Sequence, residues 1–230
     1  MKQVNITEFY DEFVDHQSQI GVSTRHRIIH QNLKAIGLTG DSNVLEVGCG
    51  IGTVSSLIIK SIPKGQFLGV DISPESIATA KKINPQSNAQ FIVNDMSDFA
   101  SDMKFDFIVF PDVLEHIPIE QHYKLFENIA KVSKSNTKVL INIPEPNSIN
   151  WVRKNKPQDL QIIDQALSMQ DLLNNTYPHG FEVQSICPYS IHTKHYNYVK
   201  IVLVRNGEIE NFKKIGKIGK TMQNLKARFF

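Results

Sequence analysis

The sequence predicts an α/β fold: a doubly wound, mostly parallel seven-stranded sheet with helices on both faces and an antiparallel strand pair at its C-terminal edge. Three observations carry this. Short β-branched apolar runs alternate with helix-like segments from Val44 to Ile143, the pattern of βαβ crossovers. Most of those runs stop on an acid, a glycine or a proline, as strand ends do. Gly48, Gly50 and Gly52 crowd together directly behind the first run, where the backbone must turn tightly with a ligand pressed against it.

In chain order, Met1–Leu38 reads as mostly helical. Val44–Val47, apolar but for Glu46, is the first strand, and Thr53–Ser61 is the helix behind the glycines. Phe67–Val70 is the second strand and ends on Asp71. Ser73 and Pro74 then supply an N-cap and a proline at the first helical position, with Glu75 in the first turn. That helix runs to about Ile83 and stops before Pro85. Phe91–Val93 is the third strand, and Phe105–Phe110 the fourth, halted by Pro111. Ile119–Ser133 is a helix with Leu125, Ile129 and Val132 at helical spacing. Lys138–Ile143 is the fifth strand, closed by Pro144. Asn147–Asp159 reads as polar and irregular, and Leu160–Asn174 as helical in two pieces. Phe181–Ile186 and Asn197–Val204 are strands that would pair antiparallel. The expected organisation is one domain over 1–205, with a helical lid at 1–38, a ligand-binding core at 43–144 and a substrate-side elaboration at 145–205. A basic tail follows at 206–230.

The formal charge of +2 conceals a split. Six basic and two acidic residues lie from Asn206 onward, so the body is mildly acidic. That argues against nucleic acid as a partner of the body. Two cysteines, Cys49 and Cys187, make no disulfide framework and suit a reducing, cytoplasmic setting. The polar N-terminus does not read as a signal peptide, and no apolar run approaches the ~20 residues of a membrane span. From Ile209 to Phe229 apolar residues recur every three or four positions with lysines between them. This suits a peripheral contact with an anionic inner membrane surface, or packing on a partner or on the chain's own body.

The glycines admit three nucleotide-type ligands. A Walker loop needs Lys-Ser/Thr after its last glycine, whereas Gly52 is followed by Thr53 and Val54. A dinucleotide fingerprint fits Gly48 and Gly50 but finds Thr53 at its sixth position. S-adenosylmethionine has a cationic sulfonium and no phosphates. It requires no basic residue near the turn, and there is none from Val44 to Ile59. Asp71, at the tip of the second strand, suits its ribose hydroxyls. Asp95, after the third strand, suits the adenine amino group, with Met96 packing on the ring. For Asp71 and Asp95 the bland alternative is a cap or turn acid. For Glu46 it is a strand-end charge, although burial between Leu45 and Val47 favours a partner.

"VLEVGCGIGT", "FLGVDISPESIATAKK", "FIVNDM" and "FDFIVFPDVLEHIP" together resemble successive motifs of class I S-adenosylmethionine-dependent methyltransferases, closest to the small-molecule branch with D-V-L-E-H after the fourth strand. The resemblance covers roughly Asn43 to Pro144 and implies a Rossmann-like methyltransferase fold. It further implies that Glu46, Gly48, Gly50 and Gly52 line the methionine part of the cofactor. Asp71 and Ile72 would hold the ribose, and Asp95 with Met96 the adenine. Pro111, Asp112 and Val113 would wall the sulfonium. Cys49 shares the glycine turn without chemistry of its own. "EFYDEF" resembles the family's lid, with Tyr10 closing over the cofactor. Phe110–Val113 departs from the Asn/Asp-Pro-Pro-aromatic motif of members that methylate nucleic-acid amino groups.

By that resemblance the reaction is methyl transfer to a small hydroxylated acceptor such as a sugar, a phenol or a lipid-linked metabolite, with S-adenosylhomocysteine as product. His116, beside the expected sulfonium, is either a general base or a structural hydrogen-bond partner. Glu145, His179, His192 and His195 are candidate substrate contacts. His192 and His195 lack a nearby carboxylate to complete a metal set, so no metal is expected. A nicotinamide oxidoreductase and a non-catalytic cofactor-binding scaffold are the competing classes.

Overall fold

Val44–Val47 (β1), Phe67–Asp71 (β2), Ala89–Val93 (β3), Phe105–Pro111 (β4) and Ser133–Pro144 (β5) form parallel strands in a computed structural model that describes residues 6–12 and 14–206. Phe181–Tyr189 (β6) and Tyr198–Arg205 (β7) complete a seven-stranded sheet of order β3-β2-β1-β4-β5-β7-β6. β7 runs antiparallel to both β5 and β6, as expected of the C-terminal pair. β1 is buried along its whole length, which is why it reads as a continuous apolar run rather than an alternation. Residues from 207 onward, and with them the basic tail, lie outside the described residues.

Helices cover both faces. Thr24–Ala35 (α3), Thr53–Ser61 (α4) and Pro74–Ile83 (α5) bury Ile29, Leu33, Ile58, Ile59 and Ile77 against one face. Ile119–Lys131 (α6) and Met169–Thr176 (α8) bury Leu125, Phe126, Ile129 and Leu172 against the other. Two short helices, Ile6–Glu12 (α1) and Val14–Ile20 (α2), precede α3. Among the described residues no helix is long and apolar enough to cross a membrane.

Two expectations are corrected. The stretch expected to be irregular contains a helix, Pro146–Asn155 (α7). Only Ile149 of it is buried, so it has no apolar stripe to betray it. Its start was nonetheless written in the sequence: Glu145 accepts the Ser148 N–H at 2.9 Å and Pro146 occupies the first turn. Of the two helical pieces expected over 160–174, only α8 forms, and its Ser168 cap accepts the Asp171 N–H at 3.0 Å. The segment before it is fixed instead by tertiary hydrogen bonds to the residues after β4.

β1 sends one connection to β2 on one side while β4 pairs on its other side. The direction of winding reverses between them. A crevice opens at such a switch point, outside the carboxyl ends of the strands.

Candidate active site

The turn after β1 is built from left-handed glycines, Gly48 at φ +70°, Gly50 at +51° and Gly52 at +82°. A Cβ on Gly48 would stand 2.1 Å from Val113 Cγ2, and one on Gly52 would stand 2.4 Å from Asn84 Nδ2. Only glycine fits both the dihedrals and the space. Asp71, at the end of β2, ties this turn down. Its Oδ2 accepts the Gly50 N–H at 2.7 Å and its Oδ1 accepts the Ser73 N–H at 3.0 Å. Burial raises its carboxyl, and those N–H donors pull against the rise. Ile72 follows, half-buried. Cys49 is buried in the same turn, and burial lifts its thiol far out of reactive range.

Glu46 does not line the crevice. It is 0% exposed beneath the turn, where Ser55 Oγ of α4 donates to its Oε2 at 2.6 Å. Its Oε1 is buried without a hydrogen-bond partner. Burial pushes its pKa up to about 8, so the folded protein holds it protonated at neutral pH. The unfolded chain ionises it from about pH 4.5, so its contribution to stability falls as pH rises through the window up to 8. Glu46→Gln removes this titration. Wild-type stability is expected to fall relative to the variant by up to ~1.4 kcal/mol per pH unit between about pH 5 and 8. Denaturant unfolding of both proteins across that range checks it, and parallel pH curves would refute the protonated state.

Asp95 is exposed beyond β3, and its pKa is lowered by the Ser97 side chain and by the Ser97 N–H, which it accepts at 2.9 Å. Met96, at φ +68°, is only 3% exposed and packs into the core. Asn94 Oδ1 accepts its N–H at 2.7 Å, and Asn128 Nδ2 donates to its carbonyl at 3.0 Å. Its side chain thus supports the turn from below and does not present a face for a ring.

The segment after β4 carries a dense cluster of polar side chains. Asp112 is held at φ +57° by its N–H bond to the Asn142 carbonyl at 2.9 Å and by the Asn142 side-chain amide. A non-glycine residue in that region stores strain that its surroundings must impose. Arg25 Nε of α3 lies 2.7 Å from Asp112 Oδ2. Arg25 Nη1 donates to Tyr198 Oη at 3.0 Å, and Tyr189 Oη donates to Asn142 Oδ1. Burial raises the Asp112 carboxyl while the guanidinium and the amide oppose it. Pro111 and Val113 flank Asp112, and Val113 closes against Gly48.

Glu115 is 1% exposed with Oε2 unpartnered, and burial beside Asp112 and Asp164 holds its carboxyl well above the usual range. His116 Nδ1 meets the Ile163 carbonyl at 2.5 Å and Asp164 Oδ1 at 3.3 Å, with Nε2 3.9 Å from Glu115 Oε1. These contacts, with Gln165 bonded to the Glu115 and Ile117 carbonyls at 3.3 and 2.6 Å, pin the segment before α8 onto this end of the sheet. α1 crosses the same end. Asp11 Oδ1 accepts Ser73 Oγ at 2.5 Å, and the Tyr10 ring lies 6.4 Å from that of His116. Burial, then Asp164, Glu115 and Asp71, raise the Tyr10 hydroxyl, which places it among the site's acids.

The remaining candidates separate. Glu145 is the cap of α7, its Oε2 spent on Ser148. Glu145→Ala is expected to cost about 0.5–1 kcal/mol in unfolding free energy without raising KM; a raised KM at unchanged stability would restore the substrate reading. His179 lies at the wrong end of the sheet. It precedes Phe181, whose partner is Arg205 at the far end of β7, and it packs against Tyr123 at 4.4 Å. His192 and His195 sit in the β6–β7 connection on the site's side but are exposed. Among the described residues no group of His, Cys, Asp and Glu is placed to hold a metal. Sequence reasoning missed Arg25, Asn142, Tyr189 and Tyr198. Arg25 left a trace, a cation in a first helical turn without acids, where the dipole disfavours it, and Tyr198 closes the His- and Tyr-rich run His192–Tyr198, which suits a polar pocket.

Residues 44–136 match the family described as a methyltransferase domain. The malonyl-[acyl-carrier protein] O-methyltransferase 1 of Ilyobacter polytropus is 42% identical over 67 residues, 29% of this chain and 25% of that protein. The trans-aconitate 2-methyltransferase of Enterobacter sp. strain 638 is 29% identical over 121 residues, 53% of this chain and 46% of that protein. The chain thus matches half or less of the length of these curated relatives. A TehB-like S-adenosylmethionine-dependent methyltransferase from Corynebacterium glutamicum shares the fold, with TM-score 0.64 and 18% identity over 87% of this chain and 98% of that one. Domain match, sheet order and glycine turn agree: residues 44–136 are a methyltransferase domain, set in the fold of the class I S-adenosylmethionine-dependent methyltransferases.

Proposed function

We propose that the chain methylates a carboxylate oxygen of a small acceptor, using S-adenosylmethionine. The observation that carries the cofactor half is the glycine turn itself, closed by the Asp71 carboxylate and free of basic residues from Val44 to Ile59. Such a cradle suits a cation and repels phosphates. When bound, S-adenosylmethionine supplies a methyl carbon on a positively charged sulfur, which keeps the bonding electron pair as the new C–O bond forms.

The chain's own residues then orient and exclude water. Each Asp71 oxygen has spent one lone-pair site on a backbone N–H and keeps capacity for a ribose hydroxyl. The backbone of Gly48–Gly52 would take the methionine part, Asp95 the adenine amino group, and Val113 would wall the methyl. Tyr10 would cover the site from α1. Orientation of this kind is worth up to ~7–11 kcal/mol in favourable cases.

A carboxylate acceptor has no proton to lose. That agrees with His116, whose Nδ1 is committed to the Ile163 carbonyl and which serves as an anchor rather than a base. The substrates in the relatives' names, a malonyl group and trans-aconitate, both carry free carboxylates. A hydroxylated acceptor is the second reading, favoured by the His116 Nε2 that remains for a proton. Methyl-labelled cofactor offered with carboxylic acids, glycosides, phenols and RNA tests the choice. Transfer to acids with a flat rate profile above the acceptor's own pKa is expected. Transfer confined to RNA, or transfer to glycosides or phenols that His116→Gln abolishes, would overturn it.

A further inference from the structure

Arg25 reaches from α3 into the polar cluster after β4, and two of its three nitrogens already face neighbours: Nε is ion-paired with Asp112 at 2.7 Å, and Nη1 donates to Tyr198. The side chain keeps 38% of its surface exposed, and Nη2 still has donors to give. Tyr198 Oη accepts from Arg25, so its own hydrogen remains to be donated. Stacking on Tyr189, at 5.7 Å between ring centroids, fixes its ring. A guanidinium fork beside a hydroxyl donor, both locked by neighbours, is a seat for a carboxylate.

The position of the seat says which carboxylate. The cofactor motifs stand on the tips of β1, β2 and β3, whereas Tyr198 stands on β7, beyond β4 and β5. At ~4.8 Å per strand, β7 lies roughly 14 Å along the sheet from β1. The seat is therefore on the side from which an acceptor approaches. A carboxylate that becomes a methyl ester loses its charge and with it most of the attraction to Arg25. A carboxylate that stays charged is held before, during and after transfer. We propose that Arg25 and Tyr198 bind a second, non-reacting carboxylate of the acceptor, which makes this an enzyme for di- or tricarboxylic acids. The proposal rests on the methyl-transfer reading and names its substrate class.

Calorimetry with the full chain tests it, using trans-aconitate and its trimethyl ester as probes, each titrated with and without saturating S-adenosylhomocysteine. The acid is expected to bind and the ester to bind at least about tenfold more weakly. Tyr198→Phe and Arg25→Lys are expected to weaken the acid about tenfold or more and to leave S-adenosylhomocysteine affinity within about twofold. Arg25→Lys keeps a cation opposite Asp112, and if it fails to fold, Tyr198→Phe decides alone. Equal binding of acid and ester by the wild type would overturn the seat. So would variants that lose S-adenosylhomocysteine affinity and spare the acid, because Arg25 would then hold the cofactor. Absence of heat with S-adenosylhomocysteine would strike the methyl-transfer reading instead, while the acid-against-ester difference in the cofactor-free protein still judges the seat.

Discussion

Gly48→Ala is expected to destabilise the protein by about 2–5 kcal/mol and to weaken S-adenosylmethionine binding at least a hundredfold. Two costs add. An L side chain at φ +70° costs ~1–2 kcal/mol. The new methyl must also displace Val113, whose Cγ2 would be 2.1 Å away and which packs on the core beneath the post-β4 segment. Overpacking of that kind costs typically ~1–3 kcal/mol. If Val113 moves to make room, the wall it forms over the turn moves with it, and binding suffers beyond stability. Denaturant unfolding and calorimetry separate the two losses. The double variant Gly48→Ala/Val113→Ala removes the clash and should recover the packing share but not the dihedral share. A single variant that melts and binds like wild type would show that the turn has room to spare.

Asp71→Ala is expected to abolish measurable cofactor binding and to cost about 2–6 kcal/mol of stability. The carboxylate satisfies the Gly50 and Ser73 N–H groups, at 2.7 and 3.0 Å, and so joins the tips of β1 and β2. Stripping one buried donor of its acceptor costs ~1–3 kcal/mol, and two are stripped here. Asp71→Asn tests the ribose role with less damage. Its single carbonyl oxygen can serve only one of the two N–H groups, so stability should fall by less than for alanine, while affinity falls sharply. Unchanged affinity in Asp71→Asn would remove the carboxylate from the cofactor site.

Much of the molecule was legible before its structure. Apolar runs placed β1, β2 and β4 to within a residue, because strands covered on both faces must be apolar throughout. Ser73-Pro74 placed the start of α5, and its cap hydrogen bond, Ser76 N–H to Ser73 Oγ at 3.0 Å, is a purely local event. α7 is legible by the same logic in Glu145-Pro146, but its exposed surface carries no periodicity to mark the rest of it. The sequence points Glu46 and Met96 at the crevice, whereas both are buried away from it. Side chains alternate across a strand end, and which side faces the crevice depends on the helix packed beneath it, here α4 with Ser55. His179 is near His192 and His195 in sequence, but the long β6–β7 hairpin separates them by its full length.

What the sequence determined by itself is local and repetitive: strand and helix type, the caps, and a glycine turn that tolerates no Cβ. Those follow from dihedral preference and from periodic burial, which neighbouring residues alone impose. What only the tertiary structure decided is the polar wall of Arg25, Asp112, Asn142, Tyr189 and Tyr198, drawn from α3, the segment after β4, β5, β6 and β7. Its members stand up to 173 positions apart. No local rule brings them together. The sheet order does, because it sets β7 beside β5 and lays the first turn of α3 across their ends.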